Sequence, residues 1–172
     1  MRKIQGLLAA ATASLALAGT AAHADTVWDF SFNDIATGTS ISGSGSFTTT
    51  ASGDITALSG FYSDANAHGS MVLIPAATTG GVQNTSADGL YYYDNSYGAS
   101  GFDIDGLLFT AGAEEVNLYL DGTMNIVTHS ANGYTTTPVD LTVTAVPEPG
   151  PMAMLLAGIA ALGFVSRRKA RA

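Results

Sequence analysis

The chain has 172 residues and a formal charge of −8, set by 14 acidic and 6 basic side chains, with 3 histidines and no cysteine. Every Lys and Arg lies in a terminal segment, so residues 25–146 carry 13 acids, no Lys or Arg, and a formal charge of −13. A nucleic-acid binder needs a basic footprint, so nucleic acid is excluded as a partner. The missing cysteines exclude disulfide staples, thiol catalysis and thiolate metal sites.

At the start of the chain Arg2 and Lys3 precede the apolar stretch LLAAATASLALAG and then Ala22-His23-Ala24. A basic start, an apolar middle and an A-x-A site predict a secretory signal peptide over residues 1–24. Cleavage is expected at Ala22 to Ala24, with the Sec export machinery as partner. The apolar run is too short for a membrane anchor and ends in small residues.

Residues 25–145 read as strands and turns. In TVWDFSF, Trp28, Phe30 and Phe32 alternate with Asp29 and Ser31, the period of a half-buried strand. In the next segment Ile41, Gly43, Gly45 and Phe47 share one face, and Ser40, Ser42, Ser44, Ser46 and Thr48 the other. Glycines inside a strand suggest a close approach or a bend. GDITALSGFY and GSMVLIP supply two more short apolar runs, and the stretch from Pro75 to Ala87 reads as a disordered loop. GLYYYDNSYG is aromatic and bounded by turn residues. Asp105-Gly106, Asp121-Gly122 and Asn132-Gly133 are preferred pairs for two-residue hairpin turns. In PVDLTVTAV, Val139, Leu141 and Val143 alternate with Asp140, Thr142 and Thr144. No helical period and no repeat interrupts this series. Many short strands with frequent turns predict an all-β fold, a single antiparallel β-sandwich (jelly-roll-like) domain.

The last 27 residues change character. Val146-Pro147-Glu148-Pro149 opens the segment, 18 uncharged residues run from Pro149 to Ser166, and Arg167, Arg168, Lys169 and Arg171 follow. As a helix the uncharged stretch would measure roughly 27 Å at 1.5 Å per residue, close to a hydrocarbon core of about 30 Å. A transmembrane helix is therefore predicted over about 151–166. The positive-inside rule keeps the basic tail 167–172 cytoplasmic and places the preceding domain outside, as the signal peptide also requires.

The ordered triple of motif, apolar segment and basic cluster resembles the PEP-CTERM sorting signal of exopolysaccharide-producing Gram-negative bacteria. The resemblance covers residues 146–172, with the motif at 146–150. It implies recognition by exosortase, an integral membrane protease or transpeptidase-like enzyme that removes the tail near the motif. It also implies transient residence in the inner membrane, then delivery to the cell surface or extracellular matrix. A retained C-terminal anchor would show the same spacing. The body is similar to other small PEP-CTERM proteins in three runs, Tyr92-x-Asp94-Asn95, Gly106-Leu107-x-Phe109 and Asn117-Leu118-Tyr119, which support the β fold.

Candidate chemistry is sparse. No catalytic motif occurs, and His68 and His129 lie far apart in sequence. A secreted hydrolase would need aspartates to converge in a cleft, and no spacing favours a pair. Asp103 and Asp105, with Asp94, Asn95, Asp121 and Asn125 as further oxygen donors, are candidate Ca²⁺ ligands in so acidic a domain. The plainer reading gives a solvent-facing Asp103 and a turn at Asp105. Tyr91, Tyr93 and Tyr97 are candidate glycan contacts, though Tyr92 should point opposite to Tyr91 and Tyr93 on a strand. The sequence thus predicts an exported, non-enzymatic matrix protein with a structural or interaction role in exopolysaccharide or biofilm, and a carbohydrate-binding module as the alternative.

Overall fold

Side chains alternate in and out along most of the chain, and strands form where they do. The computed structural model describes residues 25–35, 40–129, 135–147 and 158–160. Its strands are β1 (Thr26–Asp34), β2 (Ser42–Thr49), β3 (Ile55–Ser63), β4 (His68–Leu73), β5 (Asn84–Thr85), β6 (Tyr92–Tyr93), β7 (Leu107–Ala111), β8 (Glu114–Asp121), β9 (Met124–His129) and β10 (Thr135–Ala145). Eight of these close into an antiparallel barrel in the order β1-β10-β9-β8-β7-β4-β3-β2, while β5 and β6 form a separate ribbon.

The all-β expectation holds, but the sandwich is corrected to a barrel. Consecutive barrel strands are neighbours all the way round, an up-and-down meander without the crossing connections of a jelly roll. The first and last strands make the seam: Trp28 faces Ala145, Phe30 faces Val143 and Phe32 faces Leu141. On its other side β1 pairs with β2, where Trp28 faces Phe47 and Phe32 faces Gly43. Closure gives ladder partners to the backbone groups that a sandwich leaves on its edge strands.

An eight-stranded barrel has an interior just wide enough for side chains, and here rings fill much of it. Phe30, Phe32, Phe47, Tyr62 and Phe109 are buried in one cluster with Leu107, Val116, Leu118, Val127 and Val139. Phe32 lies 6.3 Å from Tyr62, and Tyr62 lies 6.1 Å from Phe109, centroid to centroid. The glycine-rich β2 makes room. A Cβ on Gly43 would sit 2.3 Å from Cζ of Phe32, and one on Gly45 would sit 2.1 Å from the Ser59 carbonyl oxygen. Register slips between Thr48 and Thr49, so that Thr48 faces Ala57 while Thr49 faces Ile55. The bulge reverses the side-chain parity of β3, and Ile55 and Leu58, three apart, both pack on the core.

The turn expectations fare unevenly. Asp121 pairs with Met124, so Gly122-Thr123 forms the β8–β9 turn, with Gly122 at φ 64°. Asp105-Gly106 joins no hairpin and instead leads into β7. Asn132-Gly133 lies outside the described residues, as do the signal peptide over 1–24, with Ala22 and Ala24, and the basic tail Arg167, Arg168, Lys169 and Arg171. Of the helix expected over 151–166, the described residues 158–160 are helical. Among the described residues no helix is long and apolar enough to cross a membrane.

Candidate functional site

Residues 74–106 leave the barrel after β4 and return at β7, and three buried carboxamides hold this excursion in place. Asn95, at a positive φ of 52°, inserts its side chain between β4 and β7 just past their last pair. Its Nδ2 donates to the Ile74 carbonyl at 2.7 Å, and its Oδ1 accepts from the Leu108 N–H at 2.9 Å. One side chain thus replaces a peptide unit in the ladder. The Asn95 backbone adds bonds to Ile55 N and Gly106 O. Asn84 gathers the 75–87 stretch, accepting from Thr78 N and donating to the carbonyls of Thr78 and Val82. That stretch is an ordered part of the fold, against expectation. Asn117 on β8 donates through Nδ2 to the carbonyls of Tyr92 and Asp105, at 2.9 and 3.0 Å.

These contacts join the three runs singled out in the sequence. Asp94 and Asn95 both donate backbone N–H groups to Gly106 O, and Asn117 reaches Tyr92. A Cβ on Gly106 would lie 2.3 Å from Leu118 O. The shared residues form a structural clasp between the excursion and the barrel wall.

The clasp decides which tyrosines meet solvent. Tyr91 and Tyr93 are 2% and 5% exposed and pack with Leu108 in a second apolar cluster on the outer wall of the barrel. Their hydroxyls donate to Glu115 O and Pro75 O. The expectation that they contact glycan is corrected: both rings are core. Tyr97 is half-buried in a plug at one barrel end, about 5 Å edge-on from Trp28, Phe47 and Phe102. It borders a hollow of about 420 Å³ with Trp28 and residues 49–53. The alternation argument held for Tyr92, which is 58% exposed. Tyr92 borders a groove of about 280 Å³ with Tyr119, Asn117, Asp105, Gln83 and Ile104.

Two carboxyls are buried, each beside other carboxylates. Asp94 is 1% exposed; burial first, then the carboxylates of Asp103 and Asp105, raise it to about 6, although the Ser96 N–H opposes this. Glu114 is 2% exposed, and burial together with the Asp64 carboxylate raises it to about 7. Tyr62 donates its hydroxyl to Asp64 Oδ2 at 2.9 Å. Among the described residues no three His, Cys, Asp or Glu side chains are grouped to hold a metal ion. Asp103 Oδ1 accepts the N–H groups of Asp105 and Gly106, and Asp105 Oδ1 accepts from Gln83. Asp121 ends β8, and Asn125 sits between Leu120 and Val139 in the ladder.

At the seam, Val146 continues the β1–β10 ladder by donating its N–H to Val27 O at 2.8 Å. Pro147 follows, exposed; Glu148 and Pro149 lie outside the described residues. Residues 145–169 match the family model of the PEP-CTERM protein-sorting motif. The chain carries a PEP-CTERM sorting signal. The PEP-CTERM motif implies an exported protein that exosortase recognises, held in the membrane and then processed. Comparison with curated proteins and with solved structures gave no match.

Proposed function

We propose that this protein is a non-enzymatic barrel that the Sec machinery exports and exosortase sorts to the cell surface, where it takes a structural or interaction role in an extracellular polysaccharide or biofilm matrix. The observation that carries this reading is the PEP-CTERM match starting at the last residue of the last barrel strand. The absence of cysteine suits a domain whose stability comes from its core and its closed ladder. Against an enzyme, neither buried carboxyl, Asp94 or Glu114, lines the Tyr92 groove or the Trp28 hollow, and Asp105 is the one carboxylate that borders the groove among the described residues. A glycosidase needs two carboxyls flanking a bound sugar. The exposed ring of Tyr92 favours a second, compatible reading as a carbohydrate-binding module.

Intact-mass measurement of surface protein from a host with exosortase tests the sorting. The product is expected to begin near Asp25 and to lack the apolar segment and the basic tail. A surface product that retains residues 167–172 would overturn sorting in favour of a permanent anchor.

A further inference from the structure

We propose that the groove beside Tyr92 binds a protonated amino sugar within a polysaccharide. The inference rests on the matrix reading only for the source of the sugar; the site stands on its own geometry. Asn117 sets that geometry by holding Tyr92 O and Asp105 O with one amide nitrogen. The clasp fixes an exposed aromatic ring on one segment against a carboxylate on another.

The polar atoms left for a ligand are chiefly oxygens. Asn117 Oδ1 is buried and has no hydrogen-bond donor among the described residues. Asp105 takes Gln83 on Oδ1 at 2.6 Å, which leaves the other carboxylate oxygen for a ligand. No Lys or Arg occurs between residues 25 and 146 to neutralise that carboxylate. Around it lie the apolar side chains of Leu90, 53% exposed, and Ile104, 59% exposed. A ligand that fits must carry donors at its rim, a positive charge and an apolar face. An aminated pyranose has all three: axial C–H groups for the Tyr92 ring, hydroxyls for the amide oxygen and an ammonium for Asp105. Tyrosine faces also attract cations directly. The volume is near the lower end for ligand pockets, about 300 Å³, and so suits one sugar unit of a longer chain. A lysine side chain would bring the charge but no rim of hydroxyl donors. An anionic sugar would meet the field of a domain at −13.

The test uses the full chain in mild detergent, titrated calorimetrically with a glucosamine hexamer, the N-acetylglucosamine hexamer, a glucose hexamer and polylysine. The glucosamine hexamer should bind at least about tenfold more tightly than either neutral hexamer, a difference of about 1.4 kcal/mol. Tyr92→Ala and Asp105→Asn should each weaken that binding about tenfold or more. Tyr92→Phe, which keeps the ring, should bind like the wild type, and melting curves check that each variant folds. Equal affinity for the aminated and acetylated hexamers would overturn the ammonium contact. Polylysine binding as tightly as the glucosamine hexamer, with Tyr92→Ala without effect, would reduce the site to bulk charge. No binding by folded protein would overturn the site while leaving the processing result untouched.

Discussion

The backbone N–H of Val146 donates to the carbonyl of Val27 at 2.8 Å, so the sorting motif begins inside the barrel's own hydrogen-bond ladder. Pro147, which has no N–H to give, follows directly. No spacer separates the folded wall from the motif. The Val146 amide should therefore exchange with solvent at least about tenfold more slowly than a free-chain amide, as expected for a bonded strand end. Hydrogen exchange read by mass spectrometry or NMR checks this. Exchange at the free-chain rate would mean that the junction is frayed and open to the sorting enzyme.

Stability should fall as pH rises through the weakly acidic range. Glu114 titrates near 7 and Asp94 near 6 in the folded protein, against about 4 in an unfolded chain. A carboxyl whose folded pKa is raised contributes its stability below the unfolded value, and that contribution is lost as pH climbs through the folded one. The loss is concentrated between pH of about 4 and 7. Calorimetry should give a higher Tm at pH 5 than at pH 8, by roughly 5 °C. Glu114→Gln, neutral at every pH, should flatten the slope, and an unchanged slope would refute its assignment to Glu114.

Asn95 is the most vulnerable polar residue of the clasp. Asn95→Ala leaves Leu108 N and Ile74 O without their partners and places a Cβ-bearing residue of poorer left-handed tolerance at φ 52°. Each orphaned buried group costs about 1–3 kcal/mol, so urea unfolding should show a loss of about 3 kcal/mol. Asn95→Gly makes the same omission without the backbone strain and should lose about 1 kcal/mol less. If Ala and Gly variants unfold together, the strain has no part in the effect.

Gly43 and Phe32 share one space inside the barrel. Gly43→Ala should destabilise by about 1–3 kcal/mol through overpacking, since its Cβ would lie 2.3 Å from the Phe32 ring. Phe32→Leu opens room at the same point. The double variant should therefore be more stable than the sum of the two single losses implies, and a double-mutant cycle measures the coupling. Strict additivity would show that the ring moves aside freely.

Much of the wall was legible because alternation is local. Trp28, Phe30 and Phe32, then Gly43 and Phe47, then Val139, Leu141 and Val143 all face the side their spacing implied. Closure was not legible, since the β1–β10 seam joins residues more than 100 positions apart and neither strand encodes its partner. The Tyr91–Tyr93 alternation was read correctly but its covered face was not. One available signal was the unbroken run Leu107-Leu108-Phe109: a strand apolar on both faces is buried on both. Leu108 was announcing the layer outside the barrel that Tyr91 and Tyr93 supply. The carboxamides of Asn84, Asn95 and Asn117 gave no such sign, because asparagine in loops usually serves only its own turn.

The seam also sets a timetable for export. A chain crossing a membrane amino end first delivers β1 early, with both its flanks unpaired, and β10 last. Until Thr135–Ala145 emerges, the barrel is an open sheet whose greasy inner side has no lid, and two ladder edges stand ready to pair with a neighbour. The seam strand is followed at once by the sorting segment. The moment at which this fold becomes safe from its neighbours is therefore the moment at which its tail arrives at the membrane, so maturation and release are locked to the same few residues of travel.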